Sequence, residues 1–258
     1  MSTTLNIALI QTDLHWEDPV SNRKMFEEKI AGIPDEVDLI VLPEMFTTGF
    51  TMKPQNIDIS EGDATVKWMQ RMAQDDKVAL VGSIIFSEEG KFFNRLYFIS
   101  SEGEIETYNK KHTFTLAGED EVYEAGNEKL IFEYKGFKIC PMICYDLRFP
   151  VWARNTEDYD LLIYVANWPK KRINAWDTLL KARAIENMAY CIGVNRIGKD
   201  GLDFQYPGHS TVYDVLGKPL AFSKDEEIIY ATLDKKHIES TRKKLRFLED
   251  RDRFSLKG

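Results

Sequence analysis

Short, largely unbroken apolar runs recur from one end of the chain to the other. They include LNIALIQ near residue 5, VDLIVLP from 37, KVALVGSIIF from 77, RLYFIS from 95, KLIFEY from 129, FKICPMIC from 137, DLLIYVAN from 160 and YCIGVN from 190. Continuous rather than alternating apolar residues predict strands covered by helices on at least one side. Helical periodicity fills the gaps at 19–31, 61–75 and 173–188. In the third, Ile173, Trp176, Leu179, Leu180, Ala184 and Met188 recur at three- and four-residue spacing. Asn174 followed by Asp177 marks a capping start there. Turn signals are dispersed (Glu-Gly at 61, 89 and 102, Lys-Gly at 135, Asp-Gly at 200, Leu-Gly at 216), and KFFNRLYFIS joined to EIETYNKKH through Ser101-Glu102-Gly103 predicts a hairpin. No linker-like tract or fixed-period repeat interrupts the pattern, so residues 1–258 are expected to form a single domain.

Composition adds exclusions. With 43% hydrophobic and 29% charged residues, the chain is an ordinary globular protein rather than a disordered one. A formal charge of −8 opposes broad attraction to nucleic acid or anionic lipid, and the basic clusters at 170–172 and 242–244 read as solvated faces. Three cysteines make no disulfide framework and fit a reducing compartment. The N-terminus reads as a first strand rather than a signal peptide, and no run reaches the roughly 20 apolar residues of a membrane span. A cytoplasmic protein with neither nucleic-acid nor membrane partners is expected.

The stretch GFKICPMICYDLRFP, residues 136–150, carries the first candidate chemistry. In an extended run Cys140 and Cys144 stand about 13 Å apart at about 3.3 Å per residue, too far to share a metal, and four scattered histidines supply no ligand pair. Cys140, in mid-strand, reads as a buried structural thiol. Cys144 falls where the strand ends and a helix is expected from about residue 147. Backbone N–H groups there can stabilise a thiolate or a developing oxyanion. A thiol needs a proton acceptor: His112 and His209 are conceivable, but the carboxylate of Glu44, at the exit of VDLIVLP, is better placed. Lys110 stands at a comparable exit after EIETYN. Taken singly, each has an ordinary alternative, as a packed thiol, a solvated strand-end acid or a surface lysine.

Together, LIVLPEMFTTGF at 39–50, YNKKHTF at 108–114 and ICYDLRFP at 143–150 resemble the three motifs of the nitrilase, or carbon–nitrogen hydrolase, superfamily, which carry a Glu-Lys-Cys triad. The similarity continues through VANWPKKR from 164, WDTLLKARAIEN from 176, GVNRIGKDG from 193, GHSTVYDVLGKPL from 208 and FLEDRDRF from 247, almost the whole chain. The resemblance implies a four-layer α-β-β-α sandwich and an amidase needing neither metal nor organic cofactor. It implies Cys144 as nucleophile, Glu44 as general base and Lys110, in preference to Lys111, as the cation at the tetrahedral intermediate. It also implies a second glutamate at Glu119, with Glu121 as competitor, and the backbone N–H of Tyr145 as an oxyanion donor. EMFTTGFTM and VANWP are most similar to the ω-amidases, which hydrolyse 2-oxoglutaramate and related 2-oxo acid amides. A small anionic amide and water are then the substrates, Arg148 or Arg172 holds the substrate's acid group, and Phe46 and Trp168 form an aromatic wall. A nitrile, an N-carbamoyl compound or another aliphatic amide is the alternative substrate, and a non-catalytic binding protein the alternative class. Family members commonly pair through their helices, so a homodimer is expected.

Overall fold

The computed structural model describes residues 3–256. Two six-stranded sheets face each other. The first contains β1 (Thr4–Gln11), β2 (Leu39–Val41), β3 (Ala79–Glu88), β4 (Lys91–Ile99), β5 (Ile105–Asn109) and β14 (Glu227–Asp234), in the order β14-β1-β2-β3-β4-β5. The second contains β6 (Phe132–Tyr134), β7 (Phe137–Ile143), β8 (Leu161–Ala166), β9 (Tyr190–Asn195), β12 (Ser210–Tyr213) and β13 (Pro219–Ser223), in the order β13-β12-β9-β8-β7-β6. A separate ribbon pairs β10 (Ile197–Lys199) with β11 (Gln205–Pro207). In each sheet three central strands run parallel, β1-β2-β3 in one and β7-β8-β9 in the other, with antiparallel strands outside them.

Strand geometry explains why the apolar runs are unbroken. Successive side chains point to opposite faces, and in the first sheet both faces are covered. Leu5, Ile7, Leu9, Leu39, Val41, Ala79 and Val81 join the core between the sheets. Their neighbours Ala8, Ile10, Ile40 and Leu80 pack instead with Phe26, Trp68, Met69 and Met72 from the helices α1 (Pro19–Ile30) and α2 (Glu61–Asp75). The short helix α3 (Pro150–Ala153) and the longer α4 (Ile173–Asn187) cover the second sheet, where Trp176, Leu180 and Ala184 reach the core. The chain thus forms the expected α-β-β-α sandwich, and α5 (Lys235–Leu245) follows the last strand. Among the described residues no helix is long and apolar enough to cross a membrane.

Three local expectations need correction. Helix α4 does not start with Asn174 as cap: a 3₁₀ turn at Lys170–Arg172 leads directly into it, and Arg172 holds the cap position without a side-chain bond. The Glu61-Gly62 pair is not a turn but the first residues of α2. There a Cβ on Gly62 would stand 3.1 Å from the Phe86 ring, so the helix lies close on β3. No long helix follows Cys144; it heads a 3₁₀ turn, Cys144–Arg148, before the four-residue α3. The hairpin formed by β4 and β5 is as expected.

Candidate active site

Three chain segments leave the sheets at the same end of the sandwich. Glu44 follows β2, Lys110 follows β5 directly, and Cys144 follows β7 directly, so the first two come from one sheet and the third from the other. Two of these exits are bent sharply. Met45, next to Glu44, and Cys144 itself adopt φ of +43° and +41°, a region most non-glycine residues avoid. Ser83 of β3 holds the first bend, its hydroxyl accepting from Met45 N–H at 2.9 Å and its carbonyl from Phe46 N–H at 3.0 Å. The bend at Cys144 ends the β7 alternation, and Cys144 lines a cavity that Cys140 does not reach.

Behind Cys144 lies a buried charged cluster. The Lys110 ammonium donates to Glu44 Oε1 at 2.9 Å and to both oxygens of Glu119, at 2.9 and 2.8 Å. Lys110 is 1% exposed and both glutamates 0%. Phe114 N–H donates to Glu119 at 2.5 Å, and the Asn94 amide donates to Glu44 at 2.9 Å and to Glu119 at 3.3 Å. Asn167, at the end of β8, closes the far side: its backbone N–H donates to Glu44 Oε2 at 2.8 Å and its side-chain amide to the Glu44 carbonyl at 2.6 Å. Burial alone would lower the Lys110 pKa, but Glu119 and Glu44 outweigh it, and the ammonium is held well above the usual lysine range. Burial pushes the Glu119 carboxyl up, opposed by Lys110. The Cys144 thiol is driven well above its ordinary value, first by burial and then by the Glu44 carboxylate, which is both a negative charge and a hydrogen-bond acceptor for it; Lys110 opposes.

A cavity of about 380 Å³ opens onto Cys144 and Lys110. Tyr145, Arg148, Trp168 and Arg172 all line it, with Arg148 over the Trp168 ring at 5.0 Å and Arg172 over the Phe114 ring at 4.9 Å. Lys171 adds a third cation at the wall, and none of these three pairs with a carboxylate among the described residues. Trp168 is fixed by its indole N–H, which donates to the Arg172 carbonyl at 2.8 Å. Phe46 is a correction: it packs at 0% exposure against Phe26 and Trp68 on the helix-covered face and does not reach the cavity. Phe50 and Met52, further along the same segment, reach it instead. The two glutamates and the two lysines also stand in different surroundings. Glu121 is exposed while Glu119 is inside, and the Lys111 ammonium lies over Trp152 at 5.5 Å. Both candidate histidines have other partners, His112 with Asp146 at 2.8 Å and His209 with Asp177 at 3.0 Å.

Sequence reasoning did not assign Asn94 or Asn167. Asn167 stands at the end of an apolar strand, which was the available signal, while Asn94 sits beside Arg95 in β4 and offers none. The ribbon of β10 and β11 was also missed; it brings Asp200, Phe204 and Tyr206 to the cavity from a distant part of the chain.

A four-layer sandwich that gathers an acid, an amine and a thiol where its strands end is the architecture of the nitrilase superfamily. This chain belongs to the carbon–nitrogen hydrolase family, whose profile matches residues 6–243. It is 41% identical to the omega-amidase YafV of Escherichia coli K12 over 98% of both chains. It is 33% identical to the 2-oxoglutaramate amidase of Bacillus subtilis, over 95% of this chain and 96% of that one. Among solved structures, a CN-hydrolase superfamily protein of Xanthomonas campestris with an arsenic adduct in its active site superposes with a TM-score of 0.96 at 37% identity, covering all of both chains.

Proposed function

We propose that this enzyme hydrolyses the ω-amide of a small 2-oxo acid such as 2-oxoglutaramate, giving the dicarboxylate and ammonia through a thioester on Cys144. The observation that carries the reading is the cavity itself, which has the thiol and the Lys110–Glu44–Glu119 cluster at one end and unpaired cations on its wall. Cations free of carboxylate partners suit a substrate with an acid group, and Arg148 and Arg172 are the bidentate candidates. The relatives named as an omega-amidase and a 2-oxoglutaramate amidase, similar along nearly their whole length, support the same substrate class.

The raised thiol pKa decides how the reaction starts. Cys144 rests protonated, so its proton passes to Glu44 as the sulfur attacks the amide carbon. The carbonyl π pair moves onto oxygen, where the Lys110 ammonium and the N–H of Tyr145, in the first turn of a 3₁₀ segment and without an acceptor inside it, stabilise the charge. Collapse breaks the carbon–nitrogen bond, and Glu44 returns the proton to the departing nitrogen, which leaves as ammonia. Water then gives a proton to Glu44 and attacks the thioester. The sulfur leaves and regains that proton, and the acid product departs, giving up its remaining proton to solvent as the carboxylate. Glu119 keeps Lys110 charged and aimed. Each step uses a group already in the cluster.

The same reading takes residues 1–258 as one catalytic domain in a cytoplasmic homodimer. Val151, Phe247 and Phe254 leave apolar surface beside α3, which supports pairing there. An aliphatic amide is the second reading, favoured by the apolar walls that Phe50, Met52 and Phe114 give the cavity. Ammonia release from 2-oxoglutaramate, succinamate, an aliphatic amide and a nitrile tests both. The highest kcat/KM should fall on 2-oxoglutaramate. A best substrate without an acid group would transfer the conclusion to the second reading.

A further inference from the structure

We infer that Asp146 is a positioning residue for the reaction: its buried carboxylate fastens the turn that carries Cys144 to the loop that carries Lys110, and so fixes the separation of thiol and amine. The inference rests on the roles proposed above for those two residues.

Asp146 stands two residues beyond Cys144, is 0% exposed and does not line the cavity. Its Oδ2 accepts from Ile143 N–H at 3.0 Å and from the Tyr108 hydroxyl at 2.8 Å. Its Oδ1 accepts from His112 N–H at 3.0 Å and meets His112 Nδ1 at 2.8 Å, where the ring nitrogen is the donor to an ionised carboxylate. Ile143 immediately precedes the nucleophile. Tyr108 and His112 each lie two residues from Lys110, one on either side. One carboxylate therefore grips the last residue of β7 and brackets the exit of β5, and these strands belong to different sheets.

That crossing matters because apolar packing between the two sheets is non-directional and leaves the fine alignment of individual polar side chains unspecified. Directional bonds from a fully buried acceptor define it to a fraction of an ångström. The partners are themselves held. The Tyr108 hydroxyl accepts from Trp152 Nε1 at 3.1 Å and from Lys111 N–H at 3.2 Å, and the His112 ring stacks on Phe149 at 3.7 Å, 5° from parallel. No lysine or arginine pairs with Asp146 among the described residues. A carboxylate buried without a cation is costly, and four donors directed at it offset that cost.

The test measures kcat and KM for 2-oxoglutaramate in the full-length protein, Asp146→Ala and Tyr108→Phe, with folding checked by circular dichroism. A misplacement of about 1 Å at reacting groups costs about 100-fold, so Asp146→Ala should lose about 100-fold in kcat while KM changes less than threefold. Tyr108→Phe removes one of the two links across the sheets, with the hydroxyl's bonds to Trp152 and Lys111, and keeps those from Ile143 and His112. It should lose about 10-fold in kcat per folded molecule, again with KM kept, whereas a loss of stability alone would lower only the folded fraction that circular dichroism reads. If Asp146→Ala does not fold, Tyr108→Phe decides. Folded variants that keep kcat within twofold, or that raise KM alone, overturn the inference while the functional reading stands. Unaltered protein that releases no ammonia from any amide overturns both.

Discussion

At the Cys144 sulfur, burial and the Glu44 charge both disfavour the thiolate, so the nucleophile exists only when a proton acceptor and an electrophile are present together. Alkylation by iodoacetamide follows the free thiolate. Its rate should stay low through neutral pH and still be rising at pH 9, the ordinary thiol value, whereas a plateau below pH 8 would mean a resting thiolate and a different first step. Cys144→Ala should abolish ammonia release in a protein that still folds. The residue is largely buried, at 9% exposure, but it borders a cavity, so the methyl group leaves little new void. Cys140 is the opposite case: fully enclosed on β7 and away from the cavity, its change to alanine should cost about 1–2 kcal/mol in a denaturant titration and leave kcat largely intact. Equal loss of activity in both variants would remove the distinction between the two thiols. At this scale Glu44 and Cys144 stood out because each ends an apolar run with a reactive side chain, whereas Lys110 follows the polar strand EIETYN and was singled out by the motif resemblance. Phe46 was misjudged because one residue on from the Met45 bend the chain turns back toward α1 and α2, and no motif records which face a bend selects.

Among the elements, the loop from Lys110 to Gly126 is shaped by a close backbone approach at each end. Gly126 N–H donates to the Lys110 carbonyl at 2.8 Å, and a Cβ on Gly126 would stand 2.2 Å from the Asn109 carbonyl oxygen. Backbone atoms cannot yield as a flexible side chain does, so Gly126→Ala should push the end of β5 outward, costing about 1–3 kcal/mol. It should also lower kcat, because Lys110 moves with the strand; thermal melting and ammonia release measured together check both effects, and a variant with unchanged melting would show that the loop accommodates the methyl group. Helices α1, α2 and α4 were readable to within a residue or two, and the apolar strands β1–β3 and β7–β9 were readable because both their faces are covered, whereas α5 and the strands β12, β13 and β14 were not read. What remained hidden depends on contacts distant in sequence. Asn94 and Asn167 are ordinary polar residues until the fold brings Glu44 between them, and β10 and β11 are held at the cavity by contacts that include a buried guanidinium. Arg196 bonds the Leu14 and Lys199 carbonyls and Asp13, tying the ribbon to the segment after β1, 183 residues away in the chain. Local periodicity carries no trace of such pairings.

On the scale of the whole molecule, enclosing two sheets between helices leaves many ionisable groups in a core that favours their neutral forms. Burial pushes the Cys140 thiol from 9.0 up to about 12, and the Tyr97 hydroxyl from 10.0 up to about 12 despite the neighbouring Arg95. Cys144, Tyr159 and Tyr164 shift in the same direction for the same first reason. An unfolded chain releases these protons from about pH 9 upward, while the folded protein retains them, so above that pH the unfolded state binds fewer protons and the free energy of unfolding falls with pH. The stabilisation is fully present below pH 9 and is lost progressively between about 9 and 12, as the folded groups approach their own pKa values. Because several groups shift together, the loss should be steep rather than gradual. Thermal melting at constant ionic strength should give a midpoint that is flat from pH 7 to about 8.5 and then drops increasingly fast toward pH 11. A midpoint unchanged at pH 11 would mean that these thiols and phenols ionise freely in the folded protein, and the dry, close-packed interior between the two sheets would have to be reconsidered.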